Sequence, residues 1–313
     1  IRGKRVMRVI FLGTPVFAVN VLDAIVNSSH EVVGVVTKPD RVNGRGKKIT
    51  VGAVKAYALD KGLNVMQFDN VSKEGEETLR ALNPDVMVTC AYGQILRQNI
   101  LDICPIYNVH ASLLPKYRGS SPVQWAIING DEELGVTIMK TELGVDTGDM
   151  LLKKAIRLTD ENSEEALLKL SEVGAELIVK ALDDTEKGNL KWIKQDESEA
   201  THCRMLTKED GIIDFNRTAK QVNDFVRGVT PWPAAYTRYN GGTIKFLKTE
   251  VVDSCGGEKS GEVVVSDSKK GLVVKCGDGY IKVNKIQGEN AKPMDTSAYL
   301  LGHKIPVGSV LGE

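Results

Sequence analysis

A chain of 313 residues has about twice the length of a typical domain, enough for two domains or one large one with a substantial core. With 42% apolar and 26% charged residues it is excluded from the disordered, collagen-like and membrane-spanning classes. Lys and Arg total 41 and Asp and Glu total 41, so net charge advertises no polyanionic partner, and only a local patch could serve one.

The N-terminus is basic at Arg2, Lys4 and Arg5, but the apolar run Val9 to Leu12 is too short for a signal peptide and leads into a glycine turn. Arg8 to Leu12 therefore reads as a strand, Phe17 to Val26 as a helix, Glu31 to Thr37 as a strand and Val51 to Asp60 as a helix. An extended piece at Leu63 to Gln67, a helix at Lys73 to Leu82 and a strand at Asp85 to Cys90 follow, then strands at Tyr107 to His110 and Val136 to Thr141. Strands apolar on both faces, alternating with helices, imply an α/β domain: a Rossmann-like, mostly parallel sheet with helices on both faces. Ligands in such folds collect at the carboxyl ends of the strands.

Ser163 to Leu182 is a long amphipathic helix whose Ser163-x-x-Ala166 opening makes only a weak capping box. The polar span 187–210 has little periodicity and is the expected linker between an N-terminal domain at 7–186 and a C-terminal one at 211–313. Beyond it the pattern changes. One helix, Thr218 to Gly228, precedes short strands at 235–239, 243–252, 261–266, 271–276 and 280–286, separated by glycine-rich turns. Such a series implies an OB-like small β-barrel, a scaffold often used on oligonucleotides.

Cys90, Cys104, Cys203, Cys255 and Cys276 are odd in number and form no CxxC pair. That spacing suits neither a zinc site nor a disulfide framework, so a cytoplasmic protein without a metal is expected. His30-Glu31-Val32-Val33 lacks the second histidine of a zinc-protease helix. Gly13-Thr14-Pro15 is no dinucleotide fingerprint.

The segment Asn108-Val109-His110-Ala111-Ser112-Leu113-Leu114-Pro115 carries the chemistry. Side chains at i and i+2 share one face of a strand, so Asn108 and His110 point together at the end of the sheet. A carboxamide beside an imidazole is what a carbonyl under attack requires, since both can donate to a developing oxyanion. The competing reading of His110 is a hydrogen-bonded structural histidine. Downstream, Leu143-Gly144-Val145-Asp146-Thr147-Gly148-Asp149 forms an acidic turn from which Asp146 can orient the imidazole and favour its charged form. An Asx-turn capping its own backbone is the alternative for Asp146. A third segment, 38–48, sets Arg41, Arg45, Lys47 and Lys48 against Asp40 among glycines. It lacks the P-loop spacing and fits either a solvated charge run or an arm contacting nucleic-acid phosphates.

Taken in order, six blocks resemble the 10-formyltetrahydrofolate-dependent formyltransferase family, and among its branches the methionyl-tRNA formyltransferases. They are Phe11-Leu12-Gly13-Thr14-Pro15, the basic segment 38–48, Ala91-Tyr92-Gly93-x-Ile95-Leu96, Asn108-x-His110-x-Ser112-Leu113-Leu114-Pro115-x-Tyr117-Arg118-Gly119, Gly135-Val136-Thr137-Ile138-Met139 and Asp146-Thr147-Gly148-Asp149-Met150. The basic loop and Pro231-Trp232-Pro233 favour the tRNA-specific branch. Tyr117 and Ala111 depart slightly from many relatives and leave the Asn, His and Asp positions matched.

The resemblance implies transfer of a formyl group from 10-formyltetrahydrofolate to the amino group of methionine on initiator methionyl-tRNA, in a bacterial or organelle translation system. It implies Asn108, His110 and Asp146 as the catalytic trio. Ser112, Leu113, Leu114 and Pro115 would line the folate site, with the 91–96 segment beside the pterin. Arg41, Arg45, Lys47 and Lys48 would contact the tRNA acceptor end, with the C-terminal barrel holding tRNA from the other side. A monomer with no membrane partner is expected. The rival readings are a formyltransferase acting on a sugar or nucleotide amine, and a non-catalytic RNA-binding protein.

Overall fold

Strands that are apolar on both faces are stable only when both faces are covered, and the first half of the chain meets that condition with a sheet between helices. The computed structural model describes residues 6–43 and 48–312. Two compact units divide the chain. One comprises the chain to Gly119 with 133–156 and 167–202; the other comprises 120–132, 157–166 and the chain from Cys203.

In the first unit, β1 (Arg8–Gly13) pairs in parallel with β2 (Glu31–Thr37), which lies beyond α1 (Phe17–Val26). Helix α1 buries Ala18, Val21, Leu22 and Ile25, the i, i+3, i+4, i+7 stripe of an amphipathic helix. The short antiparallel pair β3 (Arg41–Asn43) and β4 (Lys48–Thr50) precedes α2 (Ala53–Asp60) and β5 (Val65–Gln67), which pairs in parallel with β2. The helix expected over 73–82 is two pieces, α3 (Val71–Glu74) and α4 (Glu76–Ala81). They part at Gly75, where a Cβ would lie 2.9 Å from both the Val71 side chain and its carbonyl oxygen. Next, β6 (Val86–Cys90) pairs in parallel with β1, and after α5 (Gln98–Leu101), β7 (Ile106–His110) pairs in parallel with β6.

The two-residue strand β8 (Arg118–Gly119) and α6 (Pro122–Ile128) intervene before β9 (Glu133–Lys140), which runs antiparallel to β7, and β10 (Met150–Arg157) completes the sheet. The seven-stranded order is β10-β9-β7-β6-β1-β2-β5. From β1 the chain runs to β2 and β5 on one side and then to β6 and β7 on the other, so the carboxyl ends of β1 and β6 flank the place where such folds bind ligands.

Helix α7 (Ser163–Glu186) starts where the sequence pattern places it and runs four residues past the expected end at Leu182. Asn162 Oδ1 accepts the N–H groups of Glu164 and Glu165 at 2.9 and 3.0 Å, and the Glu165 carboxylate accepts the Asn162 N–H at 2.9 Å. This is a full capping box built on Asn162, not on Ser163.

The polar span after α7 is bound within the first unit. The Trp192 ring packs edge-on to Tyr107 at 5.5 Å, Ile193 exchanges both backbone hydrogen bonds with Met150 at 2.8 Å, and Gln195 is buried. Strand β11 (His202–Cys203) ends this stretch.

In the second unit, α8 (Ala219–Val229) carries a capping box made by Thr218 and Gln221 and buries Ala219, Val222, Val226 and Val229. Trp125 and Ile128 of α6 pack against the same apolar cluster, so 120–132 joins this unit although it lies early in sequence. The strands are β12 (Ala235–Tyr239), β13 (Gly242–Val252), β14 (Val263–Asp267), β15 (Gly271–Lys275), β16 (Tyr280–Gln287) and β17 (Met294–Asp295), followed by α9 (Thr296–Gly302). They form an antiparallel sheet in the order β12-β13-β16-β15-β14, with β17 on β16. Its two outer strands are joined by the C-terminal tail. Leu311 N–H reaches the Gly261 carbonyl and Gly312 N–H reaches the Arg238 carbonyl, both at 2.9 Å.

Candidate active site

The register of the β6–β7 pair sets Thr89 opposite Asn108. Two residues along, His110 shares the face of Asn108, as the strand period requires. The Thr89 hydroxyl donates to Oδ1 of Asn108 at 3.0 Å, and the Asn108 Nδ2 donates to Oδ1 of Asp146 at 3.4 Å, a long bond. Because a carboxylate only accepts, the NH2 end of the amide must be the one facing Asp146.

The acidic turn after β9 folds back over β7 and holds Asp146 in the left-handed region at φ +52°, a conformation Asp tolerates better than most residues. Its Oδ2 accepts the Gly119 N–H at 2.8 Å and lies 3.6 Å from Nδ1 of His110, an ion-pair distance rather than a hydrogen bond. The other ring nitrogen, Nε2, lies 2.9 Å from the carbonyl oxygen of Tyr117. That contact is a hydrogen bond only if Nε2 carries a proton. Both ring nitrogens therefore face acceptors. The His110 side chain is 7% exposed and that of Asp146 15%, so this pair is only weakly screened.

Cys90, which follows Thr89 at the end of β6, is fully buried, and burial pushes its ionisation far up; burial likewise pushes Cys104 and Cys276 up to about 12. None is a ready thiolate nucleophile. Among the described residues no group of three His, Cys, Asp or Glu is placed to hold a metal ion. His30 sits 3.3 Å from Asp183 with its side chain fully buried, which fits a structural histidine.

The profile of the formyl transferase family matches residues 7–182, and that of the formyl transferase C-terminal domain matches residues 205–304. A methionyl-tRNA formyltransferase of Caldanaerobacter subterraneus is 44% identical over 311 residues, spanning 97% of this chain and 100% of that protein. Another from Lachnospira eligens is 43% identical over 316 residues, spanning 98% and 100%. The chain belongs to the methionyl-tRNA formyltransferase family.

Solved structures share the fold at lower identity. HypX of Aquifex aeolicus in complex with tetrahydrofolic acid superposes with a TM-score of 0.67 at 17% identity, over 95% of this chain and 47% of that one. An N-formyltransferase of Helicobacter canadensis, in complex with folinic acid and dTDP-3-aminofucose, gives a TM-score of 0.67 at 18% identity over 91% and 100%.

Asn108, His110 and Asp146, expected together from the sequence, are together in this formyltransferase. Ser112 to Pro115 follow directly on β7. The Ser112 hydroxyl donates to the Lys116 carbonyl at 2.7 Å, and Leu114 is fully buried against Met139 and Met150. Pro115 is buried as well, and Leu113 is half-buried. In the 91–96 segment, by contrast, Ile95 is 81% exposed, while Gln94 ties the loop down by accepting the Val71 N–H and donating to the Phe68 carbonyl, both at 2.9 Å.

Of the basic loop, Arg41 and Lys48 contribute backbone to the β3–β4 pair, and Arg45 and Lys47 lie outside the described residues. Three residues about the site escape the sequence reading: Thr89, Gln195 and Thr201. Only Thr89 left a trace there, as a polar residue in an otherwise apolar strand.

Proposed function

We propose that the chain transfers the formyl group of 10-formyltetrahydrofolate to the α-amino group of methionine esterified to initiator tRNA. The reading rests on one observation above the others: a carboxamide, an imidazole and a carboxylate, drawn from two distant segments, meet at the carboxyl ends of β6 and β7. Family membership supplies the substrates.

In this reading the neutral amine attacks the formyl carbon and a C–N bond forms, placing negative charge on the former carbonyl oxygen. The Asn108 NH2 donates to that oxyanion, the positive charge of a protonated His110 ring stabilises it, and Asp146 balances the ring's charge. Collapse of the adduct breaks the bond to the folate nitrogen. The proton lost by the amine is the proton that nitrogen gains, and a water beside Asp146 and His110 carries it across. No acyl-enzyme is formed, in keeping with the burial that pushes up the ionisation of Cys90, the thiol that follows Thr89. Residues 7–186 carry out this chemistry, with Ser112 to Pro115 shaping the folate side. The 187–210 span connects to residues 211–313, which hold the tRNA together with Arg41, Arg45, Lys47 and Lys48. The protein acts as a cytoplasmic monomer.

The test offers 10-formyltetrahydrofolate with either methionyl initiator tRNA or an amino-sugar nucleotide, and analyses the products after deacylation. Formylmethionine with the tRNA and no formylated sugar supports the proposal. A formylated sugar without formylmethionine would replace it with the sugar-amine reading, and RNA binding without turnover would replace it with a binding role.

A further inference from the structure

The two groups that face the His110 ring, the Tyr117 carbonyl and the Asp146 carboxylate, belong to separate loops, and one polar strand of chain grips both. Gln195 Nε2 donates to the carbonyl oxygens of Asp146 and Gly148, each at 2.8 Å. Its Oε1 accepts from Nε of Arg118 at 3.0 Å. The amide orientation is unambiguous, because carbonyls only accept and a guanidinium only donates. Arg118 is 1% exposed and also binds Glu197 through both terminal nitrogens, at 2.9 and 2.7 Å. On the other loop, Thr201 Oγ1 accepts the Tyr117 N–H at 2.8 Å and the Thr201 carbonyl accepts the Arg118 N–H at 2.9 Å.

We propose that residues 195–201 are a positioning strap that sets the separation of Tyr117 and Asp146 across the His110 ring, with Gln195 as its principal anchor. The strap lies in the interval between the two family profiles, which end at residue 182 and begin at residue 205. Its polar composition reads as a linker, yet Gln195 is only 9% exposed and its amide hydrogen bonds run to Asp146, Gly148 and Arg118. The Asp146 turn has a need for such a hold. Its φ of +52° is sparsely populated, and such a residue persists where its surroundings over-determine it. Gln195 is a positioning residue and acts through Asp146, so the inference rests on the catalytic reading of Asp146 given above.

Gln195→Met keeps the length of the side chain and removes its hydrogen bonds. A displaced second layer costs about 10- to 100-fold in rate, so kcat is expected to fall by that factor while KM for donor and for tRNA stays within about 2-fold. In an Asp146→Asn background the same substitution should cost little further, since the group it positions is already altered. Amide exchange gives a readout independent of activity: the Gly119 N–H, which Asp146 protects, should lose protection in Gln195→Met while amides of β6 and β7 keep theirs. Equal kinetic costs in the two backgrounds, or unchanged Gly119 protection, would overturn the strap. A fully active Asp146→Asn would overturn the catalytic reading instead, and Gly119 exchange would still report on the strap. If Gln195→Met fails to fold, Arg118→Lys, which leaves Gln195 with one weaker donor, is expected to show the same pattern in milder form.

Discussion

Thr89 and Asn108 face one another across the β6–β7 pair, and the hydroxyl of the first fixes which end of the second's amide is presented to Asp146. Turned the other way, Asn108 would offer a lone pair where a developing oxyanion needs a donor. Thr89→Val keeps the shape and removes the hydroxyl. One such hydrogen bond is worth about 0.5–1.5 kcal/mol, or about 2- to 12-fold in rate. Steady-state kinetics should show that loss in kcat with KM little changed, and Thr89→Ser should restore it. A Thr89→Ser variant as slow as Thr89→Val would assign the effect to packing.

Gly148 follows the Asp146 turn at a point of close approach. A Cβ there would sit 1.9 Å from the Lys140 carbonyl oxygen, a backbone atom that cannot step aside cheaply. Gly148→Ala is expected to cost about 1–3 kcal/mol in stability as overpacking does, and to lower kcat at temperatures where the fold is intact. Thermal melts and assays on the same preparation check this. A stable variant with normal kcat would show that the turn can shift without moving Asp146.

Arg118 and Glu197 give a pH prediction. The hydrogen bond from Arg118 holds the Glu197 carboxyl below its ordinary 4.5, and the same bond raises the guanidinium. A depressed folded-state pKa contributes stability that is complete above the unfolded value and lost as pH falls through the folded one. The Glu197 side chain is 73% exposed, so the contribution is screened. Denaturation of the wild type and of Glu197→Gln should differ above about pH 4.5 and converge below it. A gap that widens on acidification would contradict the assignment.

For the basic loop, Arg41→Ala should weaken tRNA binding and reduce the slope of log affinity against log salt by about one. Binding titrations across salt concentrations measure it. A variant whose donor KM rises while its tRNA affinity holds would move the loop to the folate side.

How much of this could be read from the chain depends on how each feature is encoded. Period-two alternation carries Asn108 and His110 to one face of β7, and the β-α alternation predicts the parallel order around β1. Both are local patterns. Gln195 and Thr201 act on residues 47 to 84 positions away, and nothing in their own neighbourhood marks them, so a buried strap has the composition of a linker. The same holds for the C-terminal tail that joins Gly261 to Arg238. The split of the 73–82 helix depends on the room at Gly75, which is a property of packing and not of helical period.

The most direct test of the central claim is the single-turnover rate of formyl transfer to methionyl initiator tRNA by Asn108→Ala. Loss of an oxyanion donor predicts a fall of about 100-fold or more, with donor and tRNA still bound. A rate close to that of the wild type would contradict the account, because the amide that Thr89 orients and Asp146 faces would then have no part in the reaction.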